Sequence, residues 1–313
     1  MKRVSWLIAA LMAGWAAARL VNADRCQPIE APAAPTLSFT PQAAAAALLG
    51  SLVLRRKGAA ATAALAGAAL AVVVVPRMIR RPQPVARGPV LRVATANLQH
   101  GRASEKAIVS LVQRTGADVL FLQELTETAM TRLKEAGLTD LLPHEMADVR
   151  GRSAHGCGIY ARFPLSNGLN LTPVAAAQPT ARLELPGGQR ADLVCVHPHP
   201  PKPPWSRPRV ARWRKELTAL PPPADPPRVL AGDFNASVDH AHFRGLLRLG
   251  HVDAASQMGK GLVPTWAPWR RSPGLLTLDH VLVDPRCTVL AAAVHHLPGS
   301  DHQAVYAEFR LPG

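Results

Sequence analysis

Residues 228–237 read RVLAGDFNAS. The run RVLA is short, apolar and rich in β-formers, so it is expected as a buried strand. An acid, Asp233, and an amide, Asn235, follow at once. A strand that opens into polar side chains fixes them at the rim of a sheet, where loops leave room for a ligand. The pattern recurs along the chain. Asn97 closes LRVATANL (residues 91–98), Glu124 follows DVLFLQ (118–123), and His197 ends DLVCVH (192–197). Asp279 lies inside TLDHVLV (277–283), and Asp301 and His302 precede the last apolar run in GSDHQAVY (299–306).

The residue types suggest a chemistry. A buried carboxylate is costly unless it is paired or bound to a cation. Hard divalent ions such as Mg²⁺ take oxygen ligands and keep several waters. Glu124 and Asp301 can hold one such ion, with Asn97 as a neutral oxygen ligand or an orienting amide. A phosphate oxygen would complete the shell, and the ion would offset charge building up on phosphorus. In-line attack also needs a water and a group to orient or deprotonate it, for which Asp233 and His302 are the candidates. Asp279 can orient the His302 ring. His197 can donate to the phosphate or protonate the leaving oxygen, and Asn235 can hydrogen-bond phosphate or water. Each residue alone has a plainer reading. Asn97 can be a turn amide, Glu124 an acid at a helix N-terminus, Asp233 a turn residue and Asp301 a cap. His197 and His199 lie among prolines and can be surface residues. The argument rests on the combination and its order.

Around these stretches the texture alternates between strand and helix. Ser104 is expected to cap a helix to about Arg114. A second helix is expected over 126–136, and a third from Ser206 and Pro208, with Val210, Trp213, Leu217 and Leu220 at helical spacing. A fourth covers 239–249. Further strands are expected at 157–163, 181–185, 288–294 and 304–311. This is an α/β layout with paired strands in the middle, which fits two sheets packed together with helices outside.

The stretches ATANL, LFLQE, VCVHPHPP, LAGDFNAS, TLDHVLV and GSDHQAV closely resemble the endonuclease/exonuclease/phosphatase (DNase I-like) superfamily, over Leu91 to Leu311. The resemblance implies a four-layered α/β sandwich preceded by N-terminal transmembrane helices, with a Mg²⁺ or Mn²⁺ site. It implies metal contacts by Asn97, Glu124 and Asp301, and roles as argued for His197, Asp233, Asn235, Asp279 and His302. His197 is preferred over His199 because it stands directly at the strand end. The chain also resembles a membrane-anchored, actinobacterial-type branch with three N-terminal spans. Some members of that branch are linked to cell-envelope lipid pyrophosphates and glycopeptide resistance.

Residues 1–75 differ from the rest: they are Ala/Leu/Val-rich with few charges. Apolar segments run over 4–21 (broken late by Arg19), 37–54 and 59–75. Each approaches the roughly 20 residues that a bilayer-spanning helix needs. The first could serve as a signal peptide, but two more apolar segments follow it in place of a mature domain. Three spans are therefore expected. Lys2, Arg3 and the cluster Arg55, Arg56, Lys57 belong on the cytoplasmic side. Odd span parity then puts the C-terminal domain outside the cytoplasm, against the pull of Arg77, Arg80, Arg81 and Arg87. Residues 76–90 (PRMIRRPQPVARGPV) read as a stiff linker, and 91–313 as the catalytic domain.

The net charge is +15, with a pI near 10.9. Such a surface attracts polyanions: nucleic acid, anionic headgroups or phosphorylated substrates. Arg-, Ala- and Pro-rich composition accounts for part of the excess. Cys26, Cys157, Cys195 and Cys287 show no CxxC spacing, which argues against a zinc site. The reading is a membrane-anchored phosphoesterase acting on a phosphorylated, lipid-linked substrate. The rival is a tethered nuclease, with Lys202, Arg207, Arg209, Arg212, Arg214 and Lys215 tracking a phosphate backbone. For that reading Trp205, Trp266 and Trp269 are candidate stacking groups. A non-catalytic phosphate- or nucleic-acid-binding module is disfavoured, because every ligand type is present.

Overall fold

The computed structural model describes residues 2–26, 30–149, 155–167, 178–201, 206–268 and 274–313. Four helices come first: α1 (Lys2–Leu20), α2 (Glu30–Thr36), α3 (Thr40–Val53) and α4 (Lys57–Val74). The next stretch holds β1 (Val90–Asn97), α5 (Glu105–Thr115), β2 (Val119–Gln123), α6 (Glu127–Glu135), α7 (Leu138–Leu141), β3 (His144–Asp148) and β4 (Cys157–Ala161). Then come β5 (Leu165–Asn167), β6 (Thr180–Glu184), β7 (Arg190–Val196), α8 (Arg207–Thr218), β8 (Arg228–Asp233) and α9 (Ala241–Arg248). The chain closes with β9 (Val252–Asp253), α10 (Ala254–Gln257), β10 (Asp279–Val283), β11 (Thr288–His295) and β12 (Ala304–Arg310).

Among the described residues the strands form two six-stranded sheets, ordered β11-β12-β1-β2-β4-β3 and β5-β6-β7-β8-β10-β9. Alternation of side chains explains the layers. One set from each sheet meets its counterpart between them: Val93, Val119, Phe121 and Ile159 face Leu193, Cys195, Val229 and Val281. The opposite set of the first sheet, with Ala94, Leu120 and Leu122, packs under α5 and α6 through Ile108, Leu111 and Leu133. On the second sheet Val194, Val196 and Leu230 pack under α8 and α9 through Val210, Trp213 and Phe243. The result is the expected four-layered α/β sandwich. Ser104 Oγ accepts from Ala107 N at 3.3 Å and caps α5, and Thr126 caps α6 in the same way.

Two helical stretches among the described residues are long and apolar enough to cross a membrane, Glu30–Val53 and Lys57–Met78. The first is not one rod: a 3₁₀ turn at Leu37–Phe39 separates α2 from α3. Ala31 and Ala34 of α2 are buried in the α8/α9 cluster, so this half leans on the α/β sandwich. α1, expected as the first span, is helical but is not among the two stretches. It carries Arg19, which turns inward and is 6% exposed. Val4, Leu7 and Leu11 of α1, Leu52 of α3 and Leu65 and Val72 of α4 face outward, the kind of apolar surface that marks a membrane or partner contact. All four cysteines are free thiols.

Candidate active site

Strand register assembles the site. β1 and β2 are parallel, with Asn97 opposite Gln123, so Asn97 and Glu124 emerge side by side. β7 and β8 are parallel, with Val196 opposite Gly232, which sets His197 next to Asp233. β10 runs antiparallel to β8 and pairs Asp279 directly with Asp233. β12 runs antiparallel to β1, so the Asp301–His302 loop arrives at the same end of the sandwich. Gly232 is needed here: its φ is +154° and a Cβ would collide with the Val196 carbonyl.

Asp233 Oδ2 is the hub. Asn97 Nδ2 donates to it at 3.0 Å, and the Nε2 atoms of His302 and His197 stand 3.7 and 3.8 Å away. Its Oδ1 accepts from Asn235 N at 2.8 Å. Asn97 Nδ2 also reaches Glu124 Oε1 at 3.2 Å, and Glu124 Oε2 accepts from His100 N at 2.7 Å. Asp279 Oδ2 holds His302 Nδ1 at 2.9 Å. Asp301 Oδ2 accepts from Trp266 Nε1 at 3.2 Å, and Asn235 Nδ2 donates to the Pro198 carbonyl at 3.0 Å.

Electrostatics separates the two histidines. Burial works against charge on His302, but the carboxylates of Asp279 and Asp233 prevail and hold it up at about 10, as an imidazolium. Burial pushes His197 below the ordinary histidine value, only partly offset by Asp233, so it is neutral. Burial raises the Asp233 carboxyl, with His302 pulling the other way and Asp279 adding to the rise. One ring is therefore set to donate and the other can take or give a proton.

The sequence reading brings together all eight residues it singled out. His197, Glu124, Asp233, Asn235, Asp301 and His302 line one cleft of about 470 Å³. Asn97 and Asp279 stand buried behind them as hydrogen-bond partners. His199 also lines this cleft and is tied to Glu216, whose Oε1 lies 3.0 Å from its Nδ1. The sequence reading missed Gln99, His100 and His155, which lie in loops without periodic pattern, and Ser38 and Phe39, which lie in the 3₁₀ turn between α2 and α3. Backbone strain gives a second signature. Among the described residues, five non-glycine residues have positive φ, and four of them, Gln99, His100, Glu124 and Asn235, surround the cleft. Strain of this kind collects where a site over-determines its backbone.

A family model for the endonuclease/exonuclease/phosphatase family matches residues 94–302. The chain belongs to that family. Its enzymes hydrolyse phosphoric esters with a divalent metal, and this chain is an enzyme of that kind. A search of curated protein sequences returns no match. Among solved structures, the fold is similar to an endonuclease/exonuclease/phosphatase from Beutenbergia cavernae, at 21% identity and a TM-score of 0.56 over 72% of each chain. It is also similar to an AP endonuclease from Archaeoglobus fulgidus, at 18% identity and 0.53, over 69% of this chain and 98% of that one. A 3′ phosphatase from Neisseria, bound to a product DNA hairpin, matches at 21% identity and 0.51, over 70% and 99%. At these identities the likeness is one of fold.

The donor set fits a hard divalent ion. The carboxylates of Glu124, Asp233, Asp279 and Asp301 gather around the imidazolium of His302 and leave negative charge over. Asp233, Asp279 and His302 also have the compactness of a metal site, their ligand atoms within 4.8 Å of one another. Glu124 and Asp301 line the same cleft and offer further carboxylate oxygens. Asn97 stands here as the bridging amide, its nitrogen between two carboxylates; a half-turn of the amide exchanges nitrogen for oxygen.

Proposed function

We propose that the chain is a membrane-tethered phosphoesterase that hydrolyses phosphate ester or pyrophosphate bonds of a lipid-linked substrate outside the cytoplasm. The observation that carries this reading is the seating of the anchor on the catalytic loop. Asp239, six residues beyond Asp233, takes Arg77 Nη1 at 2.9 Å from beyond α4 and Arg19 Nε at 3.0 Å from α1. Asp239 is 1% exposed, and its partners are buried with it. Tethering confines enzyme and lipid-borne substrate to one plane.

The same contacts support the orientation. The ends of α1 and α4 that meet Asp239 are the ends far from Lys2, Arg3 and Arg55–Lys57. A cytoplasmic seat for those basic clusters leaves the catalytic domain on the other face. Arg77, one of the four arginines that argue against this by charge counting, shares the Asp239 carboxylate with Arg19.

Glu124 and Asp301 would hold Mg²⁺ or Mn²⁺, with Asn97 beside them. The ion supplies charge neutralisation at the phosphate. Asp233, steadied by Asn97 and the Asn235 amide, orients the attacking water. His302, kept protonated by Asp279, donates to a phosphate oxygen. Asp233 takes the proton that the water loses, and neutral His197, 3.8 Å from it, passes that proton on to the departing oxygen.

The test is a substrate panel on the full chain in lipid nanodiscs: a polyprenyl pyrophosphate, sphingomyelin, inositol phosphates and plasmid DNA, each with Mg²⁺ and with EDTA. The expected outcome is metal-dependent turnover of the polyprenyl substrate above the others. Preference for plasmid DNA would hand the chain to the nuclease reading.

A further inference from the structure

The cleft is not built by the catalytic domain alone. Pro35, Thr36, Ser38 and Phe39, at the junction of α2 and α3, form part of its wall. Two polar pins hold this junction in place. His240 Nδ1 accepts from Ser237 N at 2.8 Å. Burial lowers His240 to about 4, so the ring is neutral and its hydrogen sits on Nε2, which faces Ser38 Oγ at 3.2 Å and donates to it. Gln42 Nε2 donates to the Leu275 carbonyl at 2.8 Å, on the opposite lip.

The wall so held is apolar. Phe39 is 37% exposed and lines the same cleft as Trp266, Leu276 and Pro200. An aromatic ring kept half in water beside a cluster of acids is an unfavourable arrangement unless something covers it. Phe39 also directly precedes α3 and lies within the apolar stretch Glu30–Val53, so the wall is continuous with that stretch.

We propose that Pro35 and Phe39 of the anchor, with Trp266, Leu276 and Pro200, form an apolar subsite. This subsite receives the hydrocarbon portion of the phosphorylated substrate beside the catalytic residues. The proposal rests on the phosphoesterase reading above and adds that the anchor selects the substrate as well as tethering the enzyme.

The test needs no turnover. Binding of n-alkyl phosphonates, from methyl to hexyl, is measured by titration calorimetry with Mn²⁺ on the full chain in nanodiscs, with empty nanodiscs subtracted. Affinity is expected to rise by roughly threefold to fourfold for each methylene that reaches the wall, the worth of a buried CH₂. Phe39→Gln should flatten that rise, Phe39→Leu should largely keep it, and Leu276→Gln should flatten it from the other lip. A flat series in the wild type, or an unchanged rise in both Gln variants, overturns the subsite while leaving the hydrolase standing. Failure of methylphosphonate itself to bind removes the phosphoesterase reading, and the subsite with it.

Discussion

Glu124 holds its backbone at φ +54° to aim its carboxylate between the Asn97 amide and the His100 N–H. A non-glycine residue keeps such a conformation at a cost of about 1–3 kcal/mol, so the side chain has a use. Glu124→Gln preserves shape and one oxygen but removes the charge a hard ion requires. It is expected to abolish hydrolysis mainly by losing Mn²⁺ affinity, and EDTA should do the same to the wild type. His302→Ala should instead lower turnover by roughly 10²–10⁴-fold with metal affinity near wild type, and Asp279→Asn should fall between. Calorimetry with Mn²⁺ beside rate measurements separates these cases; full activity of Glu124→Gln would falsify the metal assignment. At this scale the sequence was most legible. A polar residue closing an apolar strand is a local pattern, and Asn97, Glu124, His197 and Asp233 all follow it. His199 also lines the cleft, and its tie to Glu216, a helix residue, has no local signature.

Elements with strong periodicity or a cap were expected nearly where they lie, as with β1, β2, β8, α5 and α6. The short strands β3, β5 and β9 were not, because edge strands of a few residues have little pattern to show. α2 falls between the apolar segments 4–21 and 37–54 and was not expected as a helix, since EAPAAPT has no helical face until Ala31 and Ala34 meet α8 and α9. The basic face of α8 illustrates the same limit. Arg212 pairs with Glu216 at 3.0 Å and Arg214 with Glu30 of α2 at 2.9 Å, so part of the suggested phosphate track serves the fold. Lys202, Trp205 and Trp269 lie outside the described residues. β10 carries a testable tie. His280 Nδ1 faces Asp253 Oδ1 at 3.2 Å and Nε2 faces the Ala236 carbonyl at 3.0 Å, so both ring nitrogens meet acceptors and both need a proton. Burial opposes the charge, but Asp253 raises His280 above its ordinary value. A folded value raised above the unfolded one, about 6.5, stabilises fully below that pH and fades as pH climbs through the folded value. The gap in thermal midpoint between wild type and His280→Gln should therefore be widest near pH 5–6 and narrow toward pH 9. A gap independent of pH would show the ring to be neutral.

Whole-molecule organisation was legible in part: of the three apolar runs, two belong to helical stretches long and apolar enough to cross a membrane, and α1 is not among them. The seating of anchor on enzyme was not, because it depends on charges more than 150 residues apart, Arg77 and Asp239 being 162 positions from one another. Two consequences follow for the intact protein. A reporter active only outside the cytoplasm, fused after Gly313, should work, and activity from a cytoplasm-only reporter there would reverse the topology. The second concerns the clamp itself. Burial alone would raise Asp239, but Arg77 and Arg19 outweigh it and hold the carboxyl below the usual range, so it stays charged. Removing one partner of a buried ion pair leaves the rest uncompensated and costs about 3–5 kcal/mol. Asp239→Ala strands two guanidinium groups and should lower the thermal midpoint accordingly. Arg19→Met with Arg77→Met and Asp239→Leu removes the charges together and should restore much of that loss, since apolar replacement of a whole buried cluster is often neutral. The comparison has a further readout in the linker, 76–90, which lies against the catalytic domain through Gln83 Nε2 on the Val289 carbonyl at 2.7 Å. In Asp239→Ala, limited proteolysis should cut this linker faster than in wild type or the triple variant. Equal cleavage and equal midpoints in all three proteins would mean that the anchor is held by its apolar contacts and that the arginines contribute nothing to the seat.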